Sequence, residues 1–114
     1  MADCLFCRIV RREIPASIVY EDEHVLAFND INAQAPLHAL VIPKRHIDSL
    51  TALSPHDDAL VGELVRRAAA IAQEKGFAER GFRTVFNTNA EAGQTVFHIH
   101  LHLLAGRGLR WPPG

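Results

Sequence analysis

Residues 98–104 have the sequence His-Ile-His-Leu-His-Leu-Leu, in which three histidines alternate with aliphatic residues. In a β-strand successive side chains point to opposite faces, and the rise is about 3.3 Å per residue. The imidazoles of His98, His100 and His102 would then stand in a row on one face, about 6.6 Å apart, while the aliphatic side chains face a core. Imidazole can act as nucleophile, proton donor or metal ligand near neutral pH. The row therefore predicts a strand with one buried face and one chemically active face.

One metal ion cannot use all three histidines. On a flat strand they span about 13 Å, whereas zinc–nitrogen bonds are about 2.0 Å long, so two could share an ion but not three. A purely structural role would be the better explanation for a single histidine, but it does not account for three in register. We therefore favour a nucleophilic or acid–base role for His100, with His102 beside it.

The composition indicates one soluble globular domain over residues 1–114. The chain has 48% hydrophobic residues and a net charge of −1, which predicts no partnership with nucleic acid or with anionic membranes. No apolar stretch is long enough to span a bilayer, and the start Met-Ala-Asp-Cys predicts no secretion signal. The two cysteines, Cys4 and Cys7, are too close for a stabilising disulfide loop, which favours a reducing, cytoplasmic location.

Periodicity predicts two helices and five strands. A short helix is expected over 5–12, and a long one begins with Ser54 as N-cap and Pro55 at the first position and ends at Gly76. The apolar face of the long helix is predicted to contain Leu60, Val61, Leu64, Val65, Ala68, Ile71 and Ala72. Strand patterns cover 18–20, 25–28, 38–42, 82–87 and 96–104. This set predicts an α+β domain, an antiparallel five-stranded meander sheet with one long and one short helix.

The Cys4-x-x-Cys7 pair fits several roles when it is taken alone. A redox pair is expected at a strand-to-helix turn within a βαβ pattern, which is absent here. Zinc would need two further ligands. Metal binding and free buried thiols therefore both remain open from these residues.

The sequence resembles the histidine triad (HIT) superfamily, whose signature is His-φ-His-φ-His-φ-φ with φ apolar. More specifically, it is similar to the Hint branch of nucleoside phosphoramidases, along almost the whole chain. The matching segments begin at Cys4 (CLFCRIV), Glu13 (EIPA), Leu26 (LAFNDI), Ala35 (APLHALVIPKRHI), Gly93 (GQTVFH) and Arg110 (RWPPG). The resemblance implies a HIT-like fold.

The resemblance also implies a reaction. His100 would attack the α-phosphorus of a purine nucleoside phosphoramidate, an AMP–amine conjugate, and form a nucleotidyl-histidine that water hydrolyses. His102 would contact the phosphate oxygens and His38 would orient the pair. Thr95, where the family usually has serine, would hydrogen-bond the leaving amine, although its methyl group makes χ1 stiffer. No metal is needed for this catalysis.

The resemblance also implies a set of nucleotide-binding residues. Asp30 would bind the ribose hydroxyls, and Asn87 the phosphate. Phe6, Phe28 and Ile31 would form an apolar slot for the purine. Gln94, Thr95, His100 and His102 complete the set. Core packing would explain the phenylalanines almost as well, and turn formation is a common use of asparagine.

The resemblance further implies a structural zinc ion bound by Cys4, Cys7, His46 and His98. The tail, about 105–114, contains Trp111 and two prolines, and would reach the active site of a partner in a symmetric homodimer. Two other functions remain open: a dinucleoside polyphosphate hydrolase of the same superfamily, and a nucleotide- or zinc-binding interaction module without catalysis.

Overall fold

The computed structural model describes residues 3–114. Residues 1–2 lie outside the described part of the chain. They belong to the Met-Ala-Asp-Cys start from which we predicted that there is no secretion signal. The helices are α1 (Leu5–Val10) and α2 (Asp58–Glu74). The strands are β1 (Ile18–Glu21), β2 (Val25–Asn29), β3 (Leu37–Pro43), β4 (Phe82–Phe86) and β5 (Leu101–Ala105).

The five strands form one antiparallel sheet in the order β1-β2-β3-β5-β4. The prediction of an α+β domain with five antiparallel strands, one long helix and one short helix is confirmed. Only β1 to β3 follow one another as a meander. The next strand in the chain, β4, comes after α2 and does not pair with β3. β5 lies between β3 and β4 and pairs with both of them. A neighbouring strand therefore flanks its buried residues on each side.

The two faces of the sheet pack against different helices. One face and α2 enclose the larger apolar core, which includes Ile99, Leu101 and Leu103. On the other face, Phe6 and Ile9 of α1 pack with side chains from β2 and β3 such as Phe28. The alternation predicted for 98–104 therefore holds for Ile99, Leu101 and Leu103, which are buried under α2.

The long helix ends where its sequence indicates, but α2 begins at Asp58, three residues after the predicted first position Pro55. A 3-10 turn, Pro55–Asp57, precedes α2, and the Ser54 backbone N–H donates to Asp57 Oδ2 at 2.9 Å. After α2, Gly76 has φ +85°, a left-handed conformation that glycine adopts without cost. The predicted apolar face is too wide, however, because Val65 is 46% exposed. Only the stripe containing Leu64, Ala68, Ile71 and Ala72 is buried against the sheet.

No helix among residues 3–114 is long and apolar enough to cross a membrane.

Candidate active site and metal centre

The histidine segment does not form one continuous strand. β5 begins at Leu101 rather than at 96, so only His102 lies within it. Before that point the chain turns towards the segment 46–48, where the Ile99 N–H donates to the Ile47 carbonyl at 2.8 Å. The predicted strand start is wrong because the His98 ring is held elsewhere, by a hydrogen bond between its Nε2 and the Pro43 carbonyl at 2.8 Å.

His100 has a hydrogen bond that fixes its tautomer. Its Nδ1 lies 2.8 Å from the His98 carbonyl, which can only accept, so Nδ1 carries the proton. The lone pair is then on Nε2. Burial lowers the pKa of His100 below its ordinary value, which keeps the ring neutral at pH 7. A neutral imidazole with a free Nε2 is the form required of a nucleophile.

His38 and His102 form a second ordered pair. The Gln34 backbone N–H donates to His38 Nδ1 at 3.0 Å, so the proton of the neutral His38 ring is on Nε2. That Nε2 donates to His102 Nδ1 at 2.9 Å, which leaves the His102 proton on its own Nε2. Burial, together with the nearby His100, lowers the pKa of His102 to about 4. Asp30 Oδ2, 3.4 Å from His38 Nε2, completes the cluster.

A cavity of about 580 Å³ opens beside these histidines, within the size range of small-molecule sites. One part of its wall is apolar and comes mainly from α1, the 14–16 segment and β2. The other part is polar and includes Asp30, His38, His100 and His102. The cavity thus offers an apolar slot next to a group of hydrogen-bonding side chains.

The structure brings almost all of the predicted active-site residues to this cavity. Those that line it are Phe6, Phe28, Asp30, Ile31, His38, Asn87, Thr95, His100 and His102. The rings of Phe6 and Phe28 meet edge to face with centroids 5.4 Å apart, and the fully exposed Ile31 stands at the rim. Sequence reasoning missed Gln34, which lines the cavity and orients His38 through its backbone N–H, an interaction that no side-chain pattern signals.

Gln94 is the exception among the predicted nucleotide-binding residues. Its side chain is buried and does not line the cavity. The amide instead bonds to backbone groups: Oε1 accepts from the Asn89 N–H at 2.9 Å, and Nε2 donates to the carbonyls of Asp48 and Val96 at 2.9 and 3.2 Å. The Gln94 side chain therefore bonds to the loop beside the cavity and to the 46–48 segment, and it does not face the cavity.

The four predicted metal ligands come together behind the active site. One donor atom from each of Cys4, Cys7, His46 and His98 lies within 4.8 Å of the others. Cys4 Sγ and Cys7 Sγ are 3.4 and 3.6 Å from His98 Nδ1, and Cys7 Sγ is 3.3 Å from His46 Nδ1. Tetrahedral zinc with ordinary bond lengths would separate sulfur and nitrogen ligands by about 3.5 Å. The spacing therefore fits one such ion.

The surroundings of the cluster also suit a cation. His98 Nε2 donates to the Pro43 carbonyl and His46 Nε2 to Asp48 Oδ1 at 2.5 Å, so each Nδ1 presents a lone pair to the thiols. Both cysteines are free thiols. Burial and the hydrogen bond with Cys4 raise the pKa of Cys7, so two thiolates here require a positive charge between them. His98 and His102 fall into separate clusters, as expected if no ion is shared by the whole triad.

Comparison with known proteins identifies the family. The family described as "Scavenger mRNA decapping enzyme C-term binding" matches residues 3–108. A protein of Synechocystis named an uncharacterised HIT-like protein is 54% identical over 112 residues, covering 98% of this chain and 97% of its own length. The chain belongs to the HIT family. Its histidine row, with His98 in the Cys/His cluster, His100 beside the cavity and His102 paired with His38, is the HIT motif of this member.

Two further relatives extend the comparison. The purine nucleoside phosphoramidase of Escherichia coli K12 is 47% identical over 107 residues, covering 94% of this HIT chain and 90% of its own length. The crystal structure of a HIT family hydrolase from Legionella pneumophila superposes with a TM-score of 0.97 at 51% identity, covering 98% of this chain and all of that one.

Proposed function

We propose that the protein is a hydrolase of purine nucleoside phosphoramidates, which acts through a covalent nucleotidyl-histidine on His100. The observation that carries this proposal is the neutral His100, whose hydrogen bond to the His98 carbonyl leaves Nε2 as the nucleophile beside a nucleotide-sized cavity. The activity in the name of the E. coli relative supports the same reaction class.

The reaction has two displacements at the α-phosphorus. In the first, His100 Nε2 forms a bond to phosphorus, the phosphorus–nitrogen bond of the substrate breaks, and the leaving amine takes up one proton from solvent through the Thr95 hydroxyl. In the second, the oxygen of a water molecule bonds to phosphorus, the bond to Nε2 breaks and the water gives up one proton to solvent. The nucleoside monophosphate is released, and the proton lost in this step balances the one taken by the amine. Covalent catalysis of this kind replaces one difficult step by two easier ones.

The cavity residues would bind and stabilise the substrate. The His102 Nε2–H, whose position follows from the bond with His38, would donate to a phosphate oxygen as charge develops there. Asn87 would do the same, and the Thr95 hydroxyl would hydrogen-bond the leaving nitrogen. On the other side, Asp30 would accept from the ribose hydroxyls.

The choice of substrate tests the proposal directly. We expect the purified protein to hydrolyse an adenosine phosphoramidate faster than a diadenosine polyphosphate, because Thr95 offers a hydrogen bond suited to an amine leaving group. Steady-state kcat/KM for the two substrates is the measurement. A preference for the polyphosphate would assign the protein to that hydrolase class, and tight AMP binding without turnover of either would indicate a non-catalytic module.

We infer that the Cys4–Cys7–His46–His98 cluster holds a structural zinc ion. Two thiolates and two imidazoles with no open position are the donor set of a structural rather than a catalytic site. The ion would tie α1 to the segments that contain His46 and His98. Because such thiols stay reduced only in a reducing compartment, we propose that the protein functions in the cytoplasm.

We also propose a symmetric homodimer of this single domain. β4 is an edge strand of the sheet, and the large apolar side chains of Phe82, Val65 and Trp111 are 37%, 46% and 82% exposed. An open edge beside exposed apolar groups is a surface that a second copy would cover by continuing the sheet. The tail 105–114 would then reach the partner. We expect a dimeric mass in solution, and a fully active monomer would contradict the proposal.

A further inference from the structure

The loop between β4 and the histidine segment has an unusual backbone that needs an anchor. Asn89 has φ +66° and ψ −169°, a positive-φ conformation that is uncommon for a residue other than glycine. The loop carries Asn87 before this point and Thr95 after it, and both line the cavity. Their positions therefore depend on how the loop between them is held.

Gln94 supplies that anchor through both its backbone and its side chain. Its backbone N–H donates to the Asn89 carbonyl at 3.0 Å, and its side-chain Oε1 accepts from the Asn89 N–H at 2.9 Å. These two hydrogen bonds join the ends of the 89–94 loop and hold Asn89 in its strained conformation. Since the side chain is only 5% exposed, water does not compete for these bonds.

The other end of the Gln94 amide joins the loop to the segment 46–48. Nε2 donates to the Asp48 carbonyl, and the Ile47 carbonyl accepts from the Ile99 N–H. The same short segment thus holds the loop that bears Thr95 and the residue that precedes His100. Its first residue, His46, belongs to the Cys/His cluster.

We propose that Gln94 is a positioning residue, which fixes Thr95 and Asn87 on the 46–48 segment so that they meet the substrate in register with His100. Gln94 itself does not touch the substrate. The inference rests on the proposed function, because it assigns a part in that reaction to a residue outside the cavity.

Two variants of similar size separate the functions of the amide. Gln94→Glu retains an acceptor for the Asn89 N–H but loses the donor to Asp48, whereas Gln94→Met loses both. We expect Gln94→Met to lower kcat for an adenosine phosphoramidate by about 10- to 100-fold, since small misplacements cost that much. Gln94→Glu should also lower kcat, because its buried carboxylate would face the carbonyls of Asp48 and Val96. KM should change less than roughly threefold, because the apolar slot and Asp30 lie outside the loop. Glu91→Ala, an exposed change in the same loop, is the matched control and should retain wild-type kcat.

A double-mutant cycle with Thr95→Ala distinguishes positioning from loss of folded protein. If Gln94 acts through Thr95, the loss in Gln94→Met combined with Thr95→Ala will be clearly smaller than the product of the two single losses. A merely destabilised protein would give losses that multiply. Multiplying losses, or a wild-type kcat in Gln94→Met, would overturn the proposal.

Amide hydrogen exchange provides a readout that does not depend on turnover. The Asn89 amide should exchange faster in Gln94→Met than in Gln94→Glu or the wild type, because only the methionine variant removes its acceptor. If the wild type fails to hydrolyse the phosphoramidate, the proposed function is wrong, while unchanged Asn89 exchange would refute the anchoring itself.

Discussion

The His100→Ala variant should lose turnover of an adenosine phosphoramidate by more than about 10⁴-fold in kcat, the scale seen when a covalent nucleophile is removed. No neighbouring group can replace it, since His102 uses its Nδ1 as the acceptor of the His38 bond and presents a proton to the cavity. AMP should still bind, because Asp30 and the apolar slot are unchanged. Steady-state hydrolysis and calorimetric titration of AMP measure the two effects.

The control for this variant is another histidine outside the cavity. His56→Ala removes an exposed imidazole before α2 and should retain wild-type turnover. Residual turnover of His100→Ala at a tenth of the wild-type rate would mean that another group attacks phosphorus. Loss of AMP binding with folding intact would instead mean that His100 acts mainly in binding.

Removing the proposed zinc ion should produce the largest change in stability. Structural zinc contributes binding free energy directly to folding, and in a chain of this size the loss of about 3–5 kcal/mol lowers Tm by about 10–20 °C. We expect a strong chelator, or the Cys7→Ser substitution, to produce such a decrease, since Cys7 lies against both His46 and His98. Thermal unfolding with metal analysis of the purified protein is the measurement.

The chelator experiment on the Cys7→Ser protein is the control for both treatments. In the Cys7→Ser protein the chelator should have little further effect, because one of the four ligands is already absent. If the wild-type protein contains no stoichiometric metal, and neither zinc nor chelator shifts its Tm, the cluster is a set of free buried thiols and imidazoles.

Much of the fold could be predicted from the sequence because its signals are local. Ser54, Pro55 and Gly76 mark the ends of the long helical region, and the alternation in 98–104 identifies the buried face of the last strand. The strand order could not be predicted in this way, because the place of β5 between β3 and β4 depends on long-range pairing. The exposure of Val65 likewise depends on how much of α2 the sheet covers.

For the candidate site, too, some features could be predicted from the sequence and others could not. The spacing of His98, His100 and His102 indicated the histidine row, while Asp30, Thr95 and the four metal ligands were implied by the resemblance to the HIT superfamily. The structure brings these residues into the cavity and the cluster. The tautomers could not be predicted, because they are set by backbone groups such as the Gln34 N–H and the His98 carbonyl. Gln94 was assigned to the nucleotide through the resemblance, but its side-chain amide instead bonds to the backbone groups of Asn89, Asp48 and Val96.

The most direct test of the central claim is to quench the reaction with an adenosine phosphoramidate at early times and map the modified peptide by mass spectrometry. We expect one adenylyl group on His100, which forms and is lost at rates consistent with kcat and is absent from His100→Ala. Two results would contradict covalent catalysis by His100. The first is an active protein that releases the amine faster than AMP but never carries the adduct. The second is an adduct on another residue.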